Sequence, residues 1–171
     1  MKTILAAIDF SPVSAPICST VIGLARSLRA RVVLLHAVAT PTVMPDASGL
    51  MSEYLVPLAA AAEQAARREL ARRKKSFQAA SVPIETVCVR GPAAAAILDE
   101  AGARQADWIA LGSHGHNAIF DLLVGSTAHR VLAKAKCPVI VVPATRPRGP
   151  EQDMHMTSQL ARSRKTAVRL V

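Results

Sequence analysis

Five short runs of the sequence are almost continuously apolar, and each has the length of a β-strand. They cover residues 3–8, 31–38, 82–89, 107–111 and 138–142. Val, Ile, Leu and Ala dominate the runs, which is typical of parallel strands covered on both faces. Four longer stretches between them repeat apolar residues at helical spacing, at about residues 15–29, 55–77, 93–104 and 126–135. The alternation predicts a parallel sheet with helices on both faces.

The first two helices have a predicted inner face. In the first, Ser14 is in the position of an N-cap, and an apolar stripe consists of Ile17, Val21, Leu24 and Leu28. In the second, which follows a predicted loop over 40–52, the inner face consists of Leu55, Leu58, Ala62, Ala66, Leu70 and Phe77. Its charged residues are interpreted as a solvated outer face.

Few topologies satisfy this order with right-handed crossovers, and we expect the strand order 3-2-1-4-5 in one open α/β domain over residues 1–143. The chain then reverses direction between strands one and four. Ligands of open α/β sheets bind at such a switch point, beyond the carboxyl ends of the strands. Asp9-Phe10-Ser11 and the segment from Gly112 onward converge there.

Composition narrows the class of protein. The chain has 171 residues, 51% apolar and 3% aromatic. No run approaches the roughly 18 apolar residues of a membrane span, and the first apolar run is too short for a secretory signal. We therefore expect a cytoplasmic protein without membrane contact. Cys18, Cys88 and Cys137 have neither disulfide nor zinc spacing and are interpreted as small apolar residues.

The charge is strongly basic, at +9, and much of it is local. Residues 144–171 carry six basic and two acidic residues and are interpreted as a partly disordered basic tail. A tail of this kind can attract an anionic partner or nucleic acid. The scarcity of aromatic residues weakens the case for single-stranded nucleic acid.

One segment carries candidate chemistry, the loop between strand four and the following helix. It contains Gly112, Gly115 and Gly125, followed by Ser126 and Thr127. Glycines let backbone N–H groups approach a ligand closely, and such groups at a helix start form an anion site. The two hydroxyls can cap the helix or donate to a phosphate. A tight turn between strand and helix is the alternative interpretation.

The spacing Gly-x2-Gly-x9-Gly-Ser of this loop resembles the glycine signature of the nucleotide-binding universal stress proteins. Three further segments resemble the same family: Ile-Leu-Ala-Ala-Ile-Asp-Phe-Ser at 4–11, Leu-Gly-Ser-His-Gly at 111–115, and Cys-Pro-Val-Ile-Val-Val-Pro at 137–143. The resemblance covers residues 2–143. It implies an ATP-binding, homodimeric stress-response protein, with the dimer formed through strand 138–142.

The resemblance also implies a set of site residues. Asp9 would lie near the ribose and phosphates, and Ala7, Ala37 and Leu111 near the adenine. The phosphates would be held by Gly112, Gly115, Gly125, Ser126 and Thr127. Asp9 could also reach a Mg²⁺ ion bound to the phosphates, or merely cap a helix. His114 and His116 are interpreted as solvated loop residues.

Phe10 departs from the family, which often has glycine there, and could narrow the pocket. No P-loop motif and no activated nucleophile is found, so we expect nucleotide binding with slow or absent hydrolysis and no catalytic residue. Two alternatives stay open. One is a nucleotide-independent interaction module that uses the basic tail, and the other is a slow ATPase.

Overall fold

Five strands and four helices alternate along residues 1–39, 50–113 and 125–143, the part of the chain that the computed structural model describes. They are β1 (Thr3–Ala7), α1 (Ser14–Leu28), β2 (Arg31–Val38), α2 (Leu50–Ala79), β3 (Ile84–Arg90), α3 (Ala93–Ala103), β4 (Trp108–Gly112), α4 (Ser126–Lys134) and β5 (Val139–Val142). Every predicted strand and helix is present, with boundaries shifted by one or two residues except at the start of α2.

The strands form one parallel sheet in the order β3-β2-β1-β4-β5, which confirms the predicted topology. β1 lies in the middle and pairs with β2 from Thr3↔Arg31 to Ala7↔Leu35. On its other side it pairs with β4, beginning at Ile4↔Trp108. The connections therefore reverse direction between β1 and β4, and a crevice opens beyond their carboxyl ends.

Each face of the sheet has its own apolar core, because successive strand residues point to opposite faces. Ile4 and Ala6 of β1 join the core that includes the buried residues of α1 and α2. Leu5 and Ala7 join the core that includes those of α3 and α4. The all-buried pattern of β1 follows from this double covering.

The inner face of α1 differs from its prediction at both ends. Leu28 is 41% exposed, whereas Ala25 is 2% exposed and takes the inner position. Because a helix turns 100° per residue, positions four apart lie on nearly the same face, and the buried stripe consists of residues 17, 21 and 25. Ser14 is not the N-cap. It is the first residue of α1, and the N-cap is Val13, which makes no side-chain capping hydrogen bond.

The first half of α2 was also predicted wrongly. The helix begins at Leu50, inside the segment that was expected to be a loop, of which residues 40–49 lie outside the described residues. Leu58 is 63% exposed and Ala62 is exposed, whereas the predicted inner residues Ala66, Leu70 and Phe77 are buried. A 30-residue helix is about 45 Å long, and the eight-residue β2 is about 26 Å long. Only the carboxyl half of α2 therefore covers the sheet.

The cysteines are free thiols. Burial raises the pKa of the Cys18 thiol, and also that of Cys88 and Cys137. Among the residues that the structure describes, no helix is long and apolar enough to cross a membrane. The predicted basic tail, residues 144–171, lies outside the described part of the chain.

Candidate functional site

A cavity of about 440 Å³ lies at the carboxyl ends of the central strands, at the switch point. Its volume is within the range of small-molecule sites, roughly 300–1,000 Å³. The lining residues come from the ends of three strands and the starts of three helices. They are Ala7, Ile8, Asp9, Val13, Ile17, Leu35, Ala37, Ala93, Ile97, Leu111, Gly112, Ser113, Gly125, Ser126, Thr127 and Ala128.

The structure brings together eight of the nine residues that the sequence nominated. Those that line the cavity are Ala7, Asp9, Ala37, Leu111, Gly112, Gly125, Ser126 and Thr127. The ninth, Gly115, lies outside the described residues together with His114 and His116. These eight residues come from four segments, the first and last of which are more than 100 positions apart. Parallel strand pairing brings three of the segments to one edge, and the bond from the Gly125 N–H to the Ser113 carbonyl brings the start of α4 there.

Small side chains make the room in this cavity. Ala7 ends β1, Ala37 is near the end of β2, and Gly112 ends β4. Since these residues carry a methyl group or none, the backbone is accessible at the three strand ends, while branched side chains such as Ile17, Leu35 and Ile97 line the rest of the cavity. A ligand that enters here meets peptide groups and short apolar surface.

Three helices start at the cavity, and none has a side-chain cap. Val13 is the N-cap of α1, Ala93 is the first residue of α3, and Ser126 is the first residue of α4. No acidic residue is present in the first turn of any of the three. Helix N-termini present N–H groups and partial positive charge, although at α1 the Ser14 N–H already donates to the Ser11 carbonyl at 2.9 Å and Pro16 has no N–H. Their convergence favours an anionic ligand.

The two hydroxyl residues of α4 follow the N-cap instead of being it. Gly125 is the N-cap, and its N–H donates to the Ser113 carbonyl at 2.7 Å. Ser113 in turn donates its N–H to the Val142 carbonyl at 2.8 Å. The first bond holds the end of β4 against the start of α4, and the second holds it against the end of β5. Among the described residues, Ser126 and Thr127 make no side-chain capping bond.

Asp9 has a defined local role and also lines the cavity. Its Oδ1 accepts the Ser11 N–H at 3.0 Å and the Ser14 hydroxyl at 3.3 Å. The carboxylate therefore stabilises the turn between β1 and α1. This structural role is close to the helix-capping role that the sequence left open for Asp9. Asp9 is also the only lining residue, among those described, with a titratable side chain.

Phe10 does not narrow the cavity, contrary to the possibility raised by the sequence. Its ring stacks on the His36 imidazole, with centroids 4.1 Å apart and planes at 25°, and it packs against the core next to α1 and α2. Phe10 has a φ of 63°, which is a left-handed conformation that favours glycine. The residue adopts a backbone conformation that suits glycine, and its ring does not line the cavity.

Some lining residues were not nominated from the sequence. Val13 and Ile17 come from the first turns of α1, and Ala93 and Ile97 from those of α3. The turn Gly91-Pro92 was a usable signal, because a helix that follows a strand end in a parallel sheet starts at the ligand edge. Gly91 has a φ of 132°, which a side chain rarely adopts, so this turn depends on glycine.

The fold and the cavity define a class, open α/β proteins with a cavity at the switch point of the sheet. The family model of the universal stress proteins matches residues 1–143. A universal stress protein of Methanocaldococcus jannaschii is 32% identical over 145 residues, which are 82% of this chain and 81% of the relative. The chain belongs to the universal stress protein family.

Solved structures of the family have the same fold. The universal stress protein UspA of Lactobacillus plantarum superimposes with a TM-score of 0.74 at 24% identity, over 82% of this chain and 97% of that protein. A universal stress protein in complex with cAMP superimposes with a TM-score of 0.59 at 19% identity, over 84% and 98% of the two chains. At these identities the likeness establishes the architecture.

Proposed function

We propose that this protein binds an adenine nucleotide, ATP, in the cavity beyond β1 and β4, and that it acts as a homodimeric stress-response or signalling protein. The observation that carries the proposal is the cavity itself. It has the volume of a small-molecule site, a lining of which half the residues are Gly, Ala or Ser, and three helix N-termini that have no side-chain cap among the described residues.

The two ends of the cavity suit the two parts of a nucleotide. Ala7, Ala37 and Leu111 offer short apolar surface against which a base can pack. Ser126 and Thr127 offer hydroxyls and helical N–H groups for phosphate oxygens. Asp9 would lie between them, close to the ribose and to any Mg²⁺ carried by the phosphates. Gly115 is proposed as a further phosphate contact from the resemblance alone.

The family relationship supports a nucleotide over other anions. A structural relative has been solved with cAMP, which is an adenine nucleotide. The lining determines how the phosphates would be held. No Lys or Arg is among the described lining residues, so N–H and hydroxyl groups would be the donors to the phosphate oxygens. A site of that type binds a polyphosphate without needing a cationic side chain.

The same lining argues for binding with slow or absent hydrolysis. Phosphoryl transfer depends on charge stabilisation by cations and on a residue that positions the attacking water. Asp9 is the single titratable group of the described lining, and it is already engaged with Ser11 and Ser14. Binding of the nucleotide, and not its hydrolysis, would then shift the protein toward the conformation that binds the nucleotide more tightly, and so change its partners.

Calorimetric titration tests the nucleotide proposal directly. ATP, ADP, AMP and cAMP are titrated into protein that has been refolded or extensively dialysed, and the purified protein is examined for co-purified nucleotide. We expect binding of ATP with a Kd in the micromolar range or below. The absence of heat and of any nucleotide at millimolar ATP would reject the proposal.

The edge strand β5 is the proposed dimer surface. It pairs with β4, and Val139, Ile140 and Val141 are only half-buried. An exposed apolar edge invites pairing with a second chain. Leu132 of the neighbouring α4 adds exposed apolar surface, at 45%.

Light scattering after gel filtration tests the dimer. Val141→Lys places a charge at the edge and should shift the mass from dimer to monomer. Leu58→Lys changes another exposed apolar residue, on the far side of the sheet, and should leave the dimer intact. A wild-type monomer at 100 µM, or a Val141→Lys dimer, would contradict the assignment.

A further inference from the structure

Phe10 and His36 form an aromatic pair at the carboxyl edge of the sheet. The ring centroids are 4.1 Å apart, and the planes are nearly parallel. Such pairs contribute beyond the burial of their area. Phe10 follows β1 and His36 is in β2, so the pair links the ends of two neighbouring strands.

Hydrogen bonds extend this link into the backbone. His36 Nδ1 lies 2.9 Å from the carbonyl oxygen of Ile8, and since a carbonyl only accepts, Nδ1 donates. The Ile8 N–H donates to the Leu35 carbonyl at 2.9 Å. Ile8 is thus bound on both sides, by the residue before His36 and by the His36 ring.

The pair adjoins the cavity without lining it. Asp9 precedes Phe10, and Ala37 follows His36, and both of these neighbours line the cavity. The left-handed backbone of Phe10, with a φ of 63°, is an outlier for a bulky residue. Strained positions persist where the surroundings hold them, and here the surroundings are the imidazole ring and the core beside α1.

We propose that Phe10 and His36 are positioning residues, which set the separation of Asp9 and Ala37 and thereby shape the base and ribose end of the cavity. The inference rests on the proposed nucleotide site. Phe10 itself contacts no ligand in this proposal. Loss of its ring should loosen the wall that Asp9 and Ala37 form, while the phosphate end at α4 keeps its shape.

The test compares two probes, adenosine and inorganic tripolyphosphate, by calorimetry. Phe10→Ala should weaken adenosine binding by about two- to tenfold, the equivalent of one stacked aromatic pair. Tripolyphosphate affinity should change by less than about twofold. Phe10→Tyr keeps the ring and should bind both probes like the wild type.

The Phe10→Gly variant distinguishes the effect of losing the ring from the effect of backbone strain. Phe10→Gly should lose adenosine affinity as Phe10→Ala does, but should melt at a higher temperature than Phe10→Ala, because glycine accepts a positive φ. Gln105→Gly is the matched control, since Gln105 also has a positive φ, of 49°, at the opposite edge of the sheet. It should leave both affinities unchanged.

Two outcomes overturn the proposal. Adenosine affinity that survives in Phe10→Ala shows that the pair positions nothing, and equal losses for both probes show a general structural defect. A wild-type protein that binds neither probe refutes the proposed function instead. Hydrogen exchange of the ligand-free protein then decides the positioning role. Phe10→Ala should accelerate exchange at Ile8 and Ser11 but not at Ala30, and unchanged rates at the first two overturn it.

Discussion

The two edges of the sheet differ in the residues that form them and in the contacts that those residues make. At the carboxyl edge, strand ends and helix starts surround an open cavity, and its lining is mainly apolar or small, with Asp9 as the one charged residue among those described. At the amino edge, the strand starts are tied to one another by charged and polar side chains. The same three strands, β1, β2 and β4, supply both edges.

The amino edge is a closed set of contacts around Thr3. Its N–H donates to Asp107 Oδ2 at 2.8 Å, and its carbonyl accepts the Asp107 N–H at 2.9 Å. Its hydroxyl accepts from Arg31 Nε at 2.9 Å. Lys2 lies 3.4 Å from Asp107 Oδ1 and above the Trp108 ring. The polar groups here satisfy each other.

The contrast shows how one sheet separates stability from function. Groups that satisfy one another within the protein stabilise the fold, and groups such as the helix N–H donors at the cavity stay available to a ligand. Changes at the amino edge should therefore alter stability without altering nucleotide affinity. Changes to residues that line the cavity should do the reverse, whereas Phe10, which does not line it, is expected to affect both.

The largest effect is expected for Gly125→Val. Gly125 has φ −55° and ψ 152°, which valine also adopts, so the substitution should be tolerated by the fold. Its side chain would fill space beside Ser126 in the cavity. A side chain there would displace phosphates from the start of α4, and we expect ATP affinity to fall by at least about tenfold in calorimetry, the equivalent of about 1.4 kcal/mol.

Gly23→Val is the matched control for this change. A Cβ at Gly23 meets nothing within 4 Å. Other residues of its helix, α1, pack in the core. Both variants should melt cooperatively near the wild-type temperature, and only Gly125→Val should lose ATP. Unimpaired ATP binding by Gly125→Val would break the distinction between the two edges.

A smaller effect, of opposite type, is expected for Thr3→Val. The substitution keeps the shape of this buried residue, which is 3% exposed, but removes the acceptor of the Arg31 Nε–H. Loss of one such bond destabilises by about 1 kcal/mol, measurable by urea denaturation. Thr20→Val, on the exposed face of α1, should change little. A change in ATP affinity for Thr3→Val would contradict the separation.

The smallest effect concerns acid stability. The hydrogen bond from the Thr3 N–H, with a lesser contribution from Lys2, lowers the pKa of Asp107. A carboxyl with a lowered folded-state pKa stabilises the protein above its unfolded-state pKa, about 3.9, and this contribution is lost as pH falls through the folded-state value. The wild type should therefore exceed Asp107→Asn in stability at neutral pH, and the gap should narrow below about pH 4.

Melting temperatures measured between pH 7 and pH 2 check this expectation. Asp99→Asn, at an exposed position of α3, is the control and should track the wild type. Parallel curves for wild type and Asp107→Asn down to pH 2 would mean that the hydrogen bond from Thr3 does not stabilise the charged carboxylate over the protonated form.

Much of the architecture followed from local pattern, and most of the candidate site residues followed from the resemblance to the universal stress proteins. Apolar runs of strand length, separated by helical periodicity, admit few arrangements of a parallel sheet, and the predicted order was confirmed. Asp9 and Gly112 follow strands that pair directly, so their meeting at one edge could be expected. Eight of the nine nominated residues line one cavity.

Other features depended on the assembled structure. The exposure of Leu58 reflects where α2 reaches past the sheet, which the periodicity of the helix does not encode. The lining by Val13 and Ala93 arises because helices α1 and α3 start at the same edge.

What the sequence alone determined is the order of elements and the edge at which ligand-binding residues gather, because both follow from short-range periodicity and strand direction. What only the tertiary structure decided is the shape of the cavity. Phe10 shows the reason: its ring leaves the cavity because His36, 26 positions away, offers a stacking surface. Side-chain direction depends on such distant neighbours, and a linear pattern does not contain them.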